Sequence, residues 1–139
     1  MLFPYKDDNP RVLVPYVTYA IISINVLIFV LQLNMAMVNS SIEREFIYKF
    51  GFIPANFSFF TMFTSMFLHG GFSHIFGNMW FLWVFGDNVE GILGHIKFGI
   101  FYLLCGLVAT MSQLFVNPES TIPMVGASGA IAGVLGMYM

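Results

Sequence analysis

The chain has 139 residues, 58% of them hydrophobic and 9% charged, with a formal net charge of -2. Soluble globular proteins carry about a quarter of their residues as charges, so no water-facing surface can be built from this composition and lipid is the expected solvent. Only five residues are Lys or Arg, which argues against a nucleic-acid partner, whose phosphates demand a basic face.

The N-terminus, Met1 to Arg11, holds two prolines and two aspartates. It has no apolar core followed by a small-residue cleavage site, so a cleaved signal peptide is not expected. Charges then divide the chain into long uncharged stretches, Val12–Ile42, Phe50–Gly86, Phe98–Pro118 and Ser120–Met139. A helix needs ~20 apolar residues to cross a hydrocarbon core of ~30 Å, so three crossings and part of a fourth fit.

The first helix is predicted from about Pro15 to Met37, opened by Pro15, whose missing amide hydrogen is harmless there. After it, Ile42 to Phe50 alternates charges with bulky apolar residues and reads as a structured loop at the membrane surface. The next stretch is too long for one crossing. It divides into a short interfacial segment up to about Gly70 and a second helix from about Gly71 to Phe85, closed by a tight turn at Asp87, Asn88, Glu90, Gly91 and Gly94. A third helix is expected from about Ile96 to Val116, holding the lone Cys105, which reads as packing. Asn117 to Val125, with Pro118 and Pro123, is a loop, and a fourth helix begins near Ala127 or Ser128. It runs off the end of the chain after ~18 Å, short of a bilayer, so the chain reads as a fragment, the rival reading being a short re-entrant terminal helix.

Polar residues inside a bilayer cost several kcal/mol, and each needs a partner or a purpose. His74 and Asn78, four apart, share one face of the second helix. Ser128 sits between Gly126 and Gly129, within a run of small residues that permits close helix approach. Taken singly, Ser128 reads as helix-packing glue and the His74/Asn78 pair as an interhelical hydrogen-bond network. Their common depth, in the first turns of two helices entering from one side, favours one site. A helix N-terminus offers free N–H groups and a positive dipole to an oxyanion, as an acyl-transfer serine requires.

These segments resemble the rhomboid family of intramembrane serine proteases. Phe67-Leu68-His69-Gly70-Gly71-Phe72-Ser73-His74-Ile75-Phe76-Gly77-Asn78-Met79 is similar to the family's second-helix signature, and Gly126-Ala127-Ser128-Gly129 to its nucleophile motif. The resemblance implies an all-α polytopic transmembrane bundle, with about four helices present of an expected six. On that basis residues 1–139 form one domain, incomplete at the C-terminus, with 1–14 a cytoplasmic N-terminal segment and 38–60 an interfacial first loop. It implies Ser128 as nucleophile, and His74 and Asn78, with the Ser128 amide, as the oxyanion hole. His69 is implied to shape the loop above the site; on sequence alone a solvated interfacial His is equally open. Glu90 is implied to be structural.

Two departures bear on activity. The family's general base is a histidine on the sixth helix, which this chain does not reach, and His95 falls at the opposite membrane face. A serine without a base is a poor nucleophile, so the chain as given is expected to be nearly inert. The first loop also lacks a Trp-Arg pair seen in many members and has only Arg44.

The expected function is therefore serine endopeptidase, cleaving transmembrane segments of membrane proteins in the bilayer, without cofactor or metal. The expected setting is a bacterial-type plasma membrane. Lys6, Arg11 and Lys97 against Arg44 and Lys49 favour a cytoplasmic N-terminus. Two rival readings are a proteolytically inactive rhomboid-like protein that binds client helices, and a small haem-binding or transport subunit. The last needs two histidines at equal depth on facing helices, and His95 is at the wrong end.

Overall fold

In the computed structural model, residues 13–139 are described; most of the expected 1–14 segment, with Lys6 and Arg11, lies outside them. The first helix, α1, runs Tyr16–Val38, about 35 Å at ~1.5 Å per residue and enough to cross a bilayer. Its burial is inverted relative to a soluble helix. Thr18, Asn25 and Gln32, seven apart and so on one stripe, are fully buried, while Leu27 and Leu31 are 64% and 52% exposed. Apolar side chains outward and polar ones inward is the arrangement that lipid selects.

α2 spans Ser40–Phe50 and exposes most of its side chains. The sequence reading made this stretch a loop, and the structure corrects it. The Asn39 side chain accepts a hydrogen bond from the Ser41 amide at 2.8 Å, and Glu43 in the first turn and Lys49 in the last suit the helix dipole. The short α3, Phe59–Thr64, and a single 3₁₀ turn, Ser65–Phe67, follow.

α4 runs Phe72–Leu93. It continues straight through the expected tight turn, a second correction. Gly86 is a packing residue: a Cβ there would lie 2.9 Å from the Thr18 methyl of α1. The chain reverses only at Gly94, whose φ of 78° is in the left-handed region. α5 then runs His95–Val116, and α6 runs Ser128–Tyr138. α1 and α5 are both long and apolar enough to cross a membrane.

Helix order in space follows from polar locks and small residues. Glu90 of α4 meets Thr18 of α1 at one end, and Gln32 of α1 meets His69, just before α4, at the other, so α1 and α4 are antiparallel. A Cβ added to Gly129 or Gly133 of α6 would collide with Ala109 or Cys105 of α5, respectively. That i, i+4 pair of glycines lets the two backbones approach closely, which is how helices without a hydrophobic drive between them gain packing contact in lipid. Gly106 likewise gives way to the Met66 side chain. The core between the helices is formed by Ile21, Phe29, Ile75, Leu82, Phe98, Tyr102, Ile131 and Val134 among others.

Candidate active site

The starts of α4 and α6 and the end of α1 share one side of the bundle, and the polar side chains meet there. His74 occupies the first turn of α4 and Asn78 the next, on the same face. His69 precedes the helix and is 1% exposed, which removes the solvated reading of that residue. Its ring lies 5.2 Å from that of His74, edge to face, and its Nε2 is 3.0 Å from Asn78 Nδ2.

An amide nitrogen only donates, so His69 Nε2 accepts from Asn78 and the imidazole proton resides on Nδ1. His69 Nδ1 is buried, and the Phe67 backbone beside the ring favours its protonated form slightly. Burial, reinforced by neighbouring His74, pushes the His69 pKa down to about 4 from its ordinary 6.5. The ring is therefore neutral at pH 7, as its acceptor role requires.

A pH dependence follows. The unfolded chain binds this proton more readily than the folded one, so the stability is complete above about pH 6.5 and is lost as pH falls toward about 4. Thermal unfolding in detergent across that window is expected to show a falling midpoint, and His69→Gln to flatten the acid limb. An unchanged limb in that variant would assign the acid sensitivity to other groups.

Gly126 brings α6 to this cluster. Its φ is 121°, and a Cβ there would lie 2.6 and 2.7 Å from Cε1 and Nε2 of His74 and 3.7 Å from Nδ2 of Asn78. Conformation and space both require glycine. The Gly126 amide donates to the Ser65 carbonyl at 2.9 Å. Two residues further on, Ser128 is the first residue of α6 and is exposed, at a helix end whose first amides have no intrahelical acceptor.

The approach to Ser128 is braced by the segment after α2. Phe52 and Met124 exchange both backbone hydrogen bonds, at 3.0 and 2.7 Å. The Ala55 amide donates to the Ser120 carbonyl at 3.0 Å, and the Thr64 hydroxyl donates to the Phe50 carbonyl at 2.6 Å. Phe52 itself is fully buried. Sequence reasoning missed these residues, since a two-residue bridge between distant loops leaves no periodic signal.

At the far end, Glu90 is also fully buried. Its carboxylate accepts from the Val17 amide at 2.9 Å, the Thr18 amide at 2.8 Å and the Thr18 hydroxyl at 2.7 Å, and it also meets His95 Nδ1. It caps the N-terminus of α1 from another helix. Sixteen residues of α4 separate it from His74, roughly 24 Å at the helical rise, so His95 cannot serve Ser128.

Helical membrane bundle with a His/Asn pair packed against a glycine-preceded serine at a helix N-terminus is the class of protein these features define. A model of the Rhomboid domain matches residues 56–139. The chain is 32% identical to the rhomboid protease GluP of Bacillus subtilis over 126 residues, 90% of this chain and 24% of that protein. It is 30% identical to the mitochondrial rhomboid protein 1 of Saccharomyces cerevisiae over 140 residues, 98% of this chain and 38% of that one. It is 40% identical to RHOMBOID-like protein 4 of Arabidopsis thaliana over 70 residues, 50% of this chain and 17% of that protein. No solved structure matches it. The chain belongs to the rhomboid family and is an integral membrane protein; it spans less than half the length of each of these relatives.

Proposed function

We propose that the protein containing this chain is an intramembrane serine endopeptidase that hydrolyses transmembrane segments of other membrane proteins. Ser128 is the nucleophile, and His74, Asn78 and the Ser128 amide hold the oxyanion. The observation that supports this reading is the packing of His74 and Asn78 against Gly126, two residues before Ser128 opens α6.

In the reaction, Ser128 Oγ attacks the scissile carbonyl and its proton passes to a base. The carbonyl oxygen becomes an anion, stabilised by donors already oriented and by the positive end of the α6 dipole. Collapse to an acyl-enzyme releases the amine half of the substrate, and water then frees the acid half. His69 is neutral and already accepts from Asn78, and His95 is at the other end. With His74 assigned to the oxyanion, no histidine among the described residues is placed as the base in this reading, so residues 13–139 by themselves are expected to be nearly inactive. No cofactor or metal enters these steps.

The orientation belongs to the same proposal. His95 and Lys97 open α5 at the end where Glu90 caps α1, while Arg44 and Lys49 of α2 lie beyond the other end of α1. A cytoplasmic N-terminus, in a bacterial-type plasma membrane, puts Ser128 near the outer leaflet.

The test is labelling of the full-length protein with a fluorophosphonate, followed by peptide mapping. A modified Ser128 is expected. A folded protein in which Ser128 stays unlabelled supports instead a rhomboid-like protein that binds client helices without cutting them. Asn78→Ala is expected to lower kcat on the order of 10-fold or more without abolishing it, because several donors share the oxyanion. Unchanged turnover would remove Asn78 from the oxyanion hole.

A further inference from the structure

Gln32 lies in the membrane-spanning α1, contributes nothing to the chemistry described so far, and is fully buried. A carboxamide in that position must find both a donor and an acceptor. Both are supplied by one residue: Gln32 Nε2 donates to the His69 carbonyl at 2.9 Å, and the His69 amide donates to Gln32 Oε1 at 3.1 Å. The side chain therefore imitates a strand neighbour to a single loop residue and fixes the orientation of its backbone.

Fixing His69 has consequences two bonds further on. His69 lies in the connection between the 3₁₀ turn and α4, where no helix ladder holds the backbone. Its ring is nevertheless the acceptor for Asn78 Nδ2. That bond takes one of the two amide hydrogens of Asn78, which leaves the second as the donor near Gly126. Without an anchored acceptor the Asn78 carboxamide is free to rotate and present its oxygen, which repels an oxyanion.

We infer that Gln32 is a positioning residue for the oxyanion donors: its two-point grip on the His69 backbone holds the imidazole where it locks the Asn78 amide with its nitrogen toward the site. The inference rests on the protease reading for its kinetic consequence but not for its spectroscopic one. Ser128, His74 and the α6 amides are untouched by it, so the effect is on turnover more than on substrate binding.

The experiment compares wild type, Gln32→Met and Gln32→Glu in the full-length protein. It reads the ¹⁵N imidazole spectrum of His69, assigned with His69→Gln, together with kcat and KM. Wild type is expected to show one His69 tautomer, with the proton on Nδ1. Gln32→Met keeps the volume but offers neither arm; it is expected to give mixed tautomers and a kcat lower by about 10-fold, with KM within about twofold. Gln32→Glu, neutral in its apolar site, still has one donor and one acceptor and is expected to retain the single tautomer.

Should Gln32→Met fail to fold, ionising Gln32→Glu at alkaline pH removes the donor arm alone and is expected to produce the same mixture. An unchanged His69 spectrum and kcat in Gln32→Met, or an unchanged spectrum in ionised Gln32→Glu, overturns the inference. If wild type does not cleave while the tautomer still responds to Gln32, the protease reading fails and the positioning of His69 stands.

Discussion

Ser128→Ala, made in the full-length protein, is expected to abolish cleavage while leaving the bundle folded. The two halves of that expectation have separate causes. Ser128 is exposed at the first position of α6, where water can take the place of its hydroxyl, so its removal is expected to leave no buried group unsatisfied. Alanine is also the best helix former at an unconstrained position. Without Oγ, by contrast, there is no acyl-enzyme, and the loss in kcat is expected to be at least about 10³-fold. Cleavage of a model transmembrane substrate in proteoliposomes, with far-UV circular dichroism as the folding control, measures both. Persistent cleavage in this variant would refute the nucleophile assignment.

The largest effect on stability is expected at the opposite end of the molecule, from Glu90→Ala. The carboxylate serves two α1 amides and the Thr18 hydroxyl, and Glu90 itself is fully buried. Its removal strands three donors, each costing about 1–3 kcal/mol when left unsatisfied, and together about 3–5 kcal/mol. Glu90→Gln keeps one acceptor oxygen but turns an NH₂ toward an N–H group, and an intermediate loss of about 1–3 kcal/mol is expected. His95→Ala is expected to cost less than either, because His95 is 42% exposed and water can take its place. Thermal unfolding in a fixed detergent ranks the three. If Glu90→Ala melts with wild type, the carboxylate does not anchor α1.

Comparison of these two sites shows what kind of information each required. Ser128, His74 and Asn78 were legible because each is a polar residue in a strongly apolar run, and His74 and Asn78 obey the four-residue spacing of one helix face. The inverted stripe of Thr18, Asn25 and Gln32 gave the same kind of signal, at a spacing of seven, and was passed over. Its partners, Glu90 and His69, lie 72 and 37 residues away, and no local pattern announces such pairings.

The misplaced boundaries have a common origin. Asp87, Asn88, Gly91 and Gly94 carry strong turn preferences, yet only Gly94 turns the chain. Burial of Val89 and the bonds of buried Glu90 to the start of α1 outweigh local propensities of at most about 1 kcal/mol each. The α2 stretch erred in the other direction: its Asn39 cap, acidic first turn and basic last turn were present, but the alternation of charge with apolar bulk suggested an irregular surface loop.

By itself the sequence determined that this is a helical membrane protein, where its spanning stretches lie, and which few polar residues demand a purpose. Those follow from composition and from periodicity along one helix, because lipid penalises each unsatisfied polar group wherever it occurs. Only the tertiary structure decided which of these residues face one another: Gly126 against His74, Gln32 on His69, Glu90 on the start of α1. Such pairings are set by helix packing between segments far apart in the chain, and packing is a property of shapes in contact that one-dimensional order does not carry.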